Sequence, residues 1–567
     1  MYHADSSAAI FVNGKLIAAS EEERFRRIKH WAGFPSKSIE FCLKEANITI
    51  DKVDAICIGR DPFAKLSDKI FFTLFNFIKF KNLLINRFKN RKKIKSVKHE
   101  FANLFNVKSS AFKNKIHYIE HHKAHLASSF FASSFNNSAI LSIDGSGDFT
   151  TTMLAIGSNN KIKIIDSINF PTSVGLFYTS FTQFLGFYNY GDEYKIMGLA
   201  PYGSPKYIDK LKKIIILKSN GLFEWDKSYF INFGDMKLDY TNNIPTISTL
   251  FSSKFEILFG KSRKPNDEIT QFHKDLASSV QFYCEDIIMH LLNHLHKTTG
   301  LDNICIAGGV SQNSVANGKI ITKTNFSNIY IPSAGHDAGL SIGAALYYYN
   351  HILNQPRIEP LISAFTGSQY NNDYIENLLI SKNIKYTYYN DENLYDIVTD
   401  MLIKPGVVGW FTGKAEFGPR ALGGRSILAD PRNPNAKELL NIKIKKRESF
   451  RPFATSILKE YVSEYFTITD NVYFMEKVFP IKIDKHKEIP AVTHVDGTGR
   501  LQTVSKDISP RYYALIDKFM SKTGVPILLN TSFNENEPIV NSPEEALNCF
   551  LRTEMDMLVL ENFIITR

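Results

Sequence analysis

The chain has 567 residues, of which 44% are hydrophobic and 22% are charged. This length is too great for one hydrophobic core, so we expect two or more globular domains. The five cysteines form no CxxC pair, which argues against a disulfide framework or a thiolate zinc site and is typical of a reducing cytoplasm. The net charge of +11 favours anionic small molecules as ligands, whereas no interleaving of aromatic and basic residues supports nucleic acid binding.

The N-terminal segment reads MYHADSSAAIFVNGKLIAAS. Two apolar runs flank Asn13-Gly14, which predicts a β-hairpin with a type I′ turn. Residues 65–115 mix many Lys and Arg with Phe, Leu and Ile at helical spacing. We expect a pair of packed amphipathic helices there, with a surface for the acceptor or a membrane as the alternative. The most apolar stretch, residues 70–80, is too short to cross a bilayer.

Two histidines four residues apart, His121 and His125, lie in the sequence IEHHKAHLASSF. If residues 121–132 are helical, both lie on one face with Cβ atoms roughly 5–6 Å apart. Two imidazoles at this spacing can hold a divalent metal, provided that a third ligand comes from elsewhere. An isolated HxxxH pair is more often a packed or capping pair. The choice between a metal site and a structural pair therefore depends on the neighbouring motifs.

The next motif, IDGSGD, predicts a strand that ends at Asp144, a glycine-rich turn and a returning strand. Such a turn offers backbone N–H groups to phosphate, and its acid can serve a metal. Residues 191–203 (GDEYKIMGLAPYG) are expected to form a loop. Its Lys195 suits either a phosphate contact or a surface salt bridge.

Two strand–loop–helix units end this half of the chain. The first has Gly308 and Gly309 after a strand, where the backbone can approach a ligand and a helix N-terminus favours an anion or nucleotide. The second places Asp337 between a strand and a helix, a natural position for the third metal ligand. A His-His-Asp set fits iron, manganese or zinc with open positions for substrate oxygens. The repeated units predict duplicated α/β halves around a nucleotide cleft.

Residues 354–361 contain two prolines and no periodic pattern, which predicts a domain boundary. Beyond it, Arg and Lys concentrate in Gly- and Pro-containing loops such as FGPRALGGRSIL, KKRESFRPFA and HVDGTGRLQTV. Guanidinium groups bind phosphate in a bidentate manner, and clustering them is costly unless an anion compensates the charge. The sequence therefore predicts an anion site in the C-terminal part.

These motifs, together with HADSSAA, EEERFRRIKH, AGGVSQN, GHDAGLSIGAA and LLNTSFN, resemble those of the NodU/CmcH family of O-carbamoyltransferases over nearly the whole chain. The resemblance implies an α/β protein with an actin-like (ASKHA) domain at 1–353, carrying a basic helical insertion at 65–115. A linker at 354–365 and a YrdC-like α/β domain at 366–567 would follow.

The resemblance also implies the reaction. The YrdC-like domain would form carbamoyl-adenylate from carbamoyl phosphate and ATP, with release of phosphate and pyrophosphate. The actin-like domain would pass the carbamoyl group to a hydroxyl of a small molecule, such as a sugar or another natural product. We expect a cytoplasmic enzyme without a nucleic acid partner or a transmembrane segment. The acceptor, the metal and the oligomeric state stay open, with a homodimer as one option.

Several site residues carry over by motif. In the first domain the metal, commonly iron(II), would be bound by His121, His125 and Asp337, with Asp144 as a weaker candidate. His3 would be the general base on the acceptor hydroxyl. The nucleotide would lie along Gly308, Gly309 and Asn313, with Lys195 on its phosphate. In the second domain the ligands would be Lys445, Arg447, Arg451 and Arg500, with Arg420, Arg425 and Asn530 beside them.

Relatives of this family have an apolar strand before the HADSS segment, whereas His3 is the third residue here. Either the start is misassigned or that strand is absent, in which case a strand edge is exposed and His3 lies on a frayed end.

Two alternative functions remain: a threonylcarbamoyl-adenylate enzyme acting on tRNA, and a non-catalytic actin-like module.

Overall fold

The computed structural model describes residues 1, 3–70, 72, 97–231 and 236–567. The chain divides into two compact units, Met1–Leu361 and Ile362–Arg567. Both combine β-sheets with helices, as the predicted α/β class requires. Residues 71 and 73–96 of the predicted basic helical pair lie outside the described residues. Within these ranges, no helix has the length and apolar character needed to span a membrane.

The N-terminal segment forms two small sheets. Strands β1 (Ser7–Val12) and β2 (Lys15–Glu21) make the predicted antiparallel hairpin. Asn13 and Gly14 have φ of 50° and 80°, the left-handed values that a type I′ turn needs. Strands β3 (Ile56–Ile58) and β4 (Ile116–Tyr118) form a parallel pair. The two pairs are separate sheets.

The central sheet of the first unit has five strands. Its first three members are the antiparallel β5 (Asn137–Gly147), β6 (Thr150–Ser158) and β7 (Lys161–Asn169). Two short hairpins follow along the chain, β8 (Ile215–Leu217) with β9 (Phe223–Trp225) and β10 (Leu238–Asp239) with β11 (Thr246–Ile247).

The remaining strands of the central sheet are β12 (Asn303–Ala307) and β13 (Asn328–Tyr330), and the order is β13-β12-β5-β6-β7. Strand β12 is parallel to both neighbours. Among the described residues this is the single five-stranded sheet of the unit, so the predicted pair of equal halves is seen only in part. The turn of the IDGSGD motif also comes later than predicted, because β5 continues through an irregular register to Gly147.

Helices surround this sheet. The longest, Gln271–Thr299, begins at a Thr270–His273 capping box and ends at Gly300 with φ 64°, an arrangement that satisfies both helix ends. The prediction of a loop at 191–203 is wrong for its central residues, because Glu193–Leu199 form a helix. The helices are Glu23–Arg26, Ser36–Glu45, Val97–Phe105, His121–Phe130, Val174–Phe184, Glu193–Leu199, Ile208–Leu211, Ser253–Phe259, Gln271–Thr299, Ser314–Gly318, Ile320–Lys323 and Leu340–Leu346.

The second unit is built on a nine-stranded mixed sheet of order β14-β22-β21-β15-β16-β20-β17-β19-β18. Its strands are β14 (Thr387–Tyr388), β15 (Val408–Phe411), β16 (Arg425–Ala429), β17 (Ala454–Leu458), β18 (Lys477–Pro480), β19 (Thr498–Val504), β20 (Ile527–Ser532), β21 (Met557–Leu560) and β22 (Phe563–Thr566). The longer helices of this unit are Asn372–Ser381, Asp391–Ile403, Pro510–Thr523 and Pro543–Arg552.

One hydrophobic core fills the second unit, and Trp410 and Tyr512 are among its largest side chains. The indole Nε1 of Trp410 donates to the carbonyl of Gly423 at 2.9 Å, so its polar atom is satisfied in the core. This bond joins β15 to the loop before β16. The loops between these strands are therefore held by a rigid framework.

Candidate metal centre and anion pocket

The two predicted histidines lie on the helix His121–Phe130, here called the histidine helix. Glu120 caps its N-terminus by accepting from the backbone N–H of Lys123 at 2.8 Å. Asp148 accepts from the backbone N–H of His121 at 3.0 Å. Carboxylates at these otherwise unpaired N–H groups stabilise the helix start. The first turn, which carries His121, is therefore fixed.

Asp337 reaches the histidines from a second helical segment. It starts the short 3-10 turn Asp337–Gly339, which continues into the helix Leu340–Leu346. Gly343 makes the contact with the histidine helix possible, because a Cβ there would lie 1.9 Å from the carbonyl oxygen of Ala124. The small residue lets the two backbones approach closely, and this approach brings Asp337 to the histidines.

Four ligand-type side chains converge here, and we call them the metal-ligand cluster: His121, His125, Asp144 and Asp337. The Nε2 atoms of the two histidines are 3.1 Å apart. Asp144 Oδ2 lies 3.0 Å from Nε2 of His121 and 3.3 Å from Nε2 of His125. Asp337 Oδ1 lies 3.5 Å from each of these nitrogens.

The cluster fits a divalent metal. Ligands about 2.1 Å from an ion at angles of about 90–110° are about 3.0–3.4 Å from one another, close to the separations above. Two imidazoles and two carboxylates suit iron(II), manganese or zinc. Asp144, the weaker candidate in the sequence, therefore has as close a contact with both histidines as Asp337 has.

The pKa values of the ligand side chains also favour a bound cation. Burial lowers the pKa of His125, but hydrogen bonds to Asp144 and Asp337 outweigh it and raise the value to about 9. Burial raises the pKa of Asp337, whereas His121, His3 and His125 lower it well below its usual range. Two carboxylates therefore stay ionised in a buried place, as a cation requires.

His3 lies beside the cluster. It is only 9% exposed, so the expectation of a frayed position for this residue is wrong. Its Nδ1 is 3.0 Å from Asp337 Oδ2 and 2.6 Å from the carbonyl oxygen of Ala4. Nδ1 between two oxygens carries the proton, so the lone pair is on Nε2, where the amino nitrogen of Met1 lies 3.0 Å away. Burial is the largest cause that lowers the pKa of His3, to about 4, so the imidazole is neutral at pH 7.

The predicted nucleotide residues of the first unit lie partly at this cluster. Gly309 N–H donates to Asp144 Oδ1 at 3.0 Å. Gly308 has φ 95°, and a Cβ there would lie 2.2 Å from the carbonyl oxygen of Ile143, so only glycine permits this approach. Asn313 caps the helix Ser314–Gly318. Lys195 lies 3.1 Å from Asp192 Oδ1, which is the salt bridge of the two predicted alternatives.

In the second unit four arginines share one electrostatic environment, here called the arginine cluster: Arg420, Arg447, Arg451 and Arg500. Burial and then the other three arginines lower the pKa of Arg500 well below its usual range. Burial and Arg451 lower the pKa of Arg420 to about 10. Nε of Arg500 is buried without a hydrogen-bond partner among the described residues. Arg451 has a carboxylate partner, since its Nη1 lies 3.6 Å from Glu448 Oε2, and an anion would compensate the remaining positive charges.

Three residues predicted to bind the anion have structural roles instead. Arg425 is fully buried, donates to the carbonyls of Thr412, Gly413, Gly424 and Ser368, and stacks on Phe411. Lys445 donates to Ser532 and Asn534. The amide of Asn530 donates to Ala421, Ser456 and Gln502. The first prediction is wrong, because the donor groups of Arg425 are directed at backbone carbonyls.

Sequence reasoning missed three polar groups near the metal-ligand cluster. The sequence places Asp148 in a turn, and its spacing from Asp144 suggests a second acidic position on the same hairpin. The other two groups are Arg60 and the Asp5–His30 pair. His30 Nδ1 lies 2.8 Å from Asp5 Oδ1. No local pattern marks these residues, because they reach the cluster from separate segments.

Comparisons with known proteins identify relatives over the whole chain. Residues 1–346 match the family model Carbamoyltransferase N-terminus, and residues 399–567 match Carbamoyltransferase C-terminus. The protein sll1178 of Synechocystis sp. is 39% identical, with 100% of this chain and 95% of that protein covered. Nodulation protein NolNO of Sinorhizobium fredii is 35% identical, with 99% of this chain and 79% of that protein covered. Among solved structures, T. kodakarensis HypF covers 47% of this chain and 40% of its own, with 14% identity and a TM-score of 0.25, too low to support an argument.

Proposed function

The chain belongs to the carbamoyltransferase family, and we propose that it is an ATP-dependent O-carbamoyltransferase that works in two half-reactions. In the first, carbamoyl phosphate, water and ATP yield carbamoyl-adenylate, phosphate and pyrophosphate. In the second, the carbamoyl group passes to a hydroxyl of a small molecule and AMP leaves. We assign the first half-reaction to the second unit, as a YrdC-like domain, and the transfer to the first, as an actin-like domain.

The arginine cluster is the observation that carries this proposal. Four guanidinium groups in one place match two anionic substrates, carbamoyl phosphate and the ATP phosphates, better than one small monoanion. Arg447 and Arg500 are our principal ligands, with Arg420 and Arg451 beside them. Lys445 donates to Ser532 and Asn534. Its contribution would therefore be to hold the loop at Ser532–Asn534 in position.

The metal-ligand cluster supports the transfer step. When bound there, a divalent metal, for which we propose iron(II), would polarise the carbonyl of the carbamoyl group. His3 has a neutral ring, and its Nε2, which lies 3.0 Å from the amino nitrogen of Met1, would take the proton of the alcohol once the acceptor replaces that amino group. The nucleotide would lie along Gly308, Gly309 and Asn313, with Lys195 near its phosphate.

The acceptor is proposed by class. A hydroxyl of a sugar or another natural product suits a general base of this kind, and one relative in the family is named a nodulation protein. We propose no nucleic acid partner and a cytoplasmic location, where ATP and carbamoyl phosphate are made. A homodimer is one assembly to be tested.

The deciding experiment supplies ATP and carbamoyl phosphate, without threonine or tRNA, and measures pyrophosphate release. Mass spectrometry of a pool of candidate alcohols then detects a gain of one carbamoyl group. Carbamoyl phosphate-dependent pyrophosphate release that disappears in Arg447→Met would support the proposal. Release that requires threonine, or none at all from metal-loaded protein, would overturn it in favour of the threonylcarbamoyl-adenylate alternative or of another carbamoyl donor.

A further inference from the structure

The loop after β3, Gly59–Arg60–Asp61, is packed between the helices that carry the metal ligands. A Cβ on Gly59 would lie 2.8 Å from Cβ of Leu340 and 3.5 Å from Cβ of Ala124. Leu340 begins the helix after Asp337, and Ala124 lies on the histidine helix. The backbone of Arg60 also turns tightly, since its N–H donates to the carbonyl of Ile58 at 2.7 Å. This loop is therefore fixed relative to both ligand helices.

Asp148 ties the same loop to the histidine helix. Its Oδ2 accepts from the backbone N–H of Asp61 at 2.6 Å and from that of His121 at 3.0 Å. Its Oδ1 is 4.0 Å from Nε of Arg60. The buried carboxylate of Asp148 thus fixes the position of the Arg60 loop relative to His121. We regard Asp148 as a positioning residue.

The guanidinium of Arg60 lies beside Asp148, whose carboxylate also accepts from the first N–H of the histidine helix. Its side chain is 24% exposed, whereas that of Asp148 is 4% exposed. Burial raises the pKa of Tyr240 to about 12, while Arg60 opposes this rise and Asp337 adds to it. Arg60 and Asp337 therefore have opposite effects on the pKa of the same phenol.

We propose that Arg60 is a further substrate-binding residue of the transfer step, and that its guanidinium holds the phosphate of the carbamoyl-adenylate. This inference rests on the proposed function and adds to it the residue that binds the leaving group. The packing of the Gly59–Asp61 loop between the two ligand helices and its tie to His121 through Asp148 carry it. A planar guanidinium matches phosphate oxygens, which a lysine in its place would meet only as a point charge.

The chemistry explains why a cation is needed there. The acceptor oxygen forms a bond to the carbamoyl carbon, and the bond from that carbon to the phosphate oxygen breaks. The bonding electrons leave with AMP, whose phosphate becomes more negative, while the hydroxyl proton goes to Nε2 of His3. A guanidinium on this phosphate stabilises charge that grows in the transition state.

The test compares the binding of AMP and adenosine to manganese-loaded protein by calorimetry. It uses a background in which Arg447 and Arg500 are both Met, so that the arginine cluster does not compete for AMP. We expect AMP to bind about tenfold to a hundredfold tighter than adenosine, because a charge-assisted hydrogen bond is worth about that factor. Arg60→Met removes this preference without loss of bound manganese, and Arg60→Lys keeps part of it.

Lys218→Met, which changes an exposed lysine paired with Glu224, serves as the control and keeps the full AMP preference. An Arg60→Met protein that binds manganese and still prefers AMP overturns the inference. If Arg60→Met loses manganese, the Arg60→Lys variant is used for the test instead. An unchanged AMP preference together with an unchanged kcat/KM for transfer in Arg60→Lys also overturns the inference. Failure of the wild type to release pyrophosphate with carbamoyl phosphate would instead overturn the proposed function.

Discussion

Nε2 of His121 and Nε2 of His125 face each other at 3.1 Å, one helical turn apart. Two imidazole lone pairs at this distance repel unless a proton or a metal ion lies between them. Without a metal, a proton is held there, in agreement with the pKa of His125, which the nearby carboxylates raise to about 9 against burial. Metal and proton therefore compete for the same place.

We expect this competition to be measurable. Wild-type protein should bind about one equivalent of a divalent metal and release protons as it does so, because the ligands must lose the shared proton. His125→Asn should lower the metal affinity at least about tenfold to a hundredfold. Metal analysis and calorimetry in buffers of different ionisation enthalpy check both. His99→Asn, at an exposed position, is the control, and unchanged metal content in His125→Asn would contradict the assignment.

Two neighbouring arginines of the FGPRALGGR motif should respond oppositely to mutation. Arg425→Met leaves several buried carbonyls without their donor, each at a cost of about 1–3 kcal/mol, so we expect roughly 3–5 kcal/mol of destabilisation. Arg420→Met removes one of several like charges, so stability should be unchanged or higher, while affinity for phosphate should fall. Denaturant unfolding and phosphate-induced shifts of Tm separate the two effects. A destabilised Arg420→Met with normal phosphate binding would contradict the proposed division of roles.

The sequence predicted the metal-ligand cluster well because its evidence is local. Helical spacing places His121 and His125 on one face, and Asp337 follows a strand end. The prediction for Arg425 failed for a different reason. Whether a guanidinium or amide points into a pocket or onto backbone carbonyls depends on how distant loops fold around it. The same limit hid Arg60, which reaches the cluster only because Gly59 fits between two helices.

The pair of His30 and Asp5 should make stability depend on pH. Burial lowers the pKa of His30, but Asp5 and Glu23 outweigh this and Lys29, and the value rises from 6.5 to about 9. His30 also lies against the ring of Tyr190. A folded pKa above the unfolded one contributes stability that is fully present below pH 6.5 and is lost as the pH rises through about 9.

The measurement is the free energy of unfolding of wild type minus that of His30→Gln, from about pH 6 to about pH 9.5. Because the His30 side chain is 32% exposed, we expect only about 1 kcal/mol of difference at the acidic end, which declines through the alkaline half of the range. Asp5→Asn should flatten the same curve. A difference that grows toward alkaline pH has the opposite sign and would disprove the role of the pair.

Two glycines of the IDGSGD motif, which the sequence alone cannot distinguish, differ in the space around them. A Cβ on Gly147 would lie 2.1 Å from Cδ2 of His121, whereas a Cβ on Gly145 would meet nothing within 4 Å. The ring of His121 is buried and hydrogen-bonded to Asp144, so it cannot move aside without losing its position as a ligand. We therefore expect Gly147→Ala to lower the metal affinity although it changes no ligand, while Gly145→Ala leaves it unchanged. Metal content after dialysis against a graded series of chelator concentrations compares the two proteins, and equal retention in both would mean that His121 does not need its present position to bind the metal.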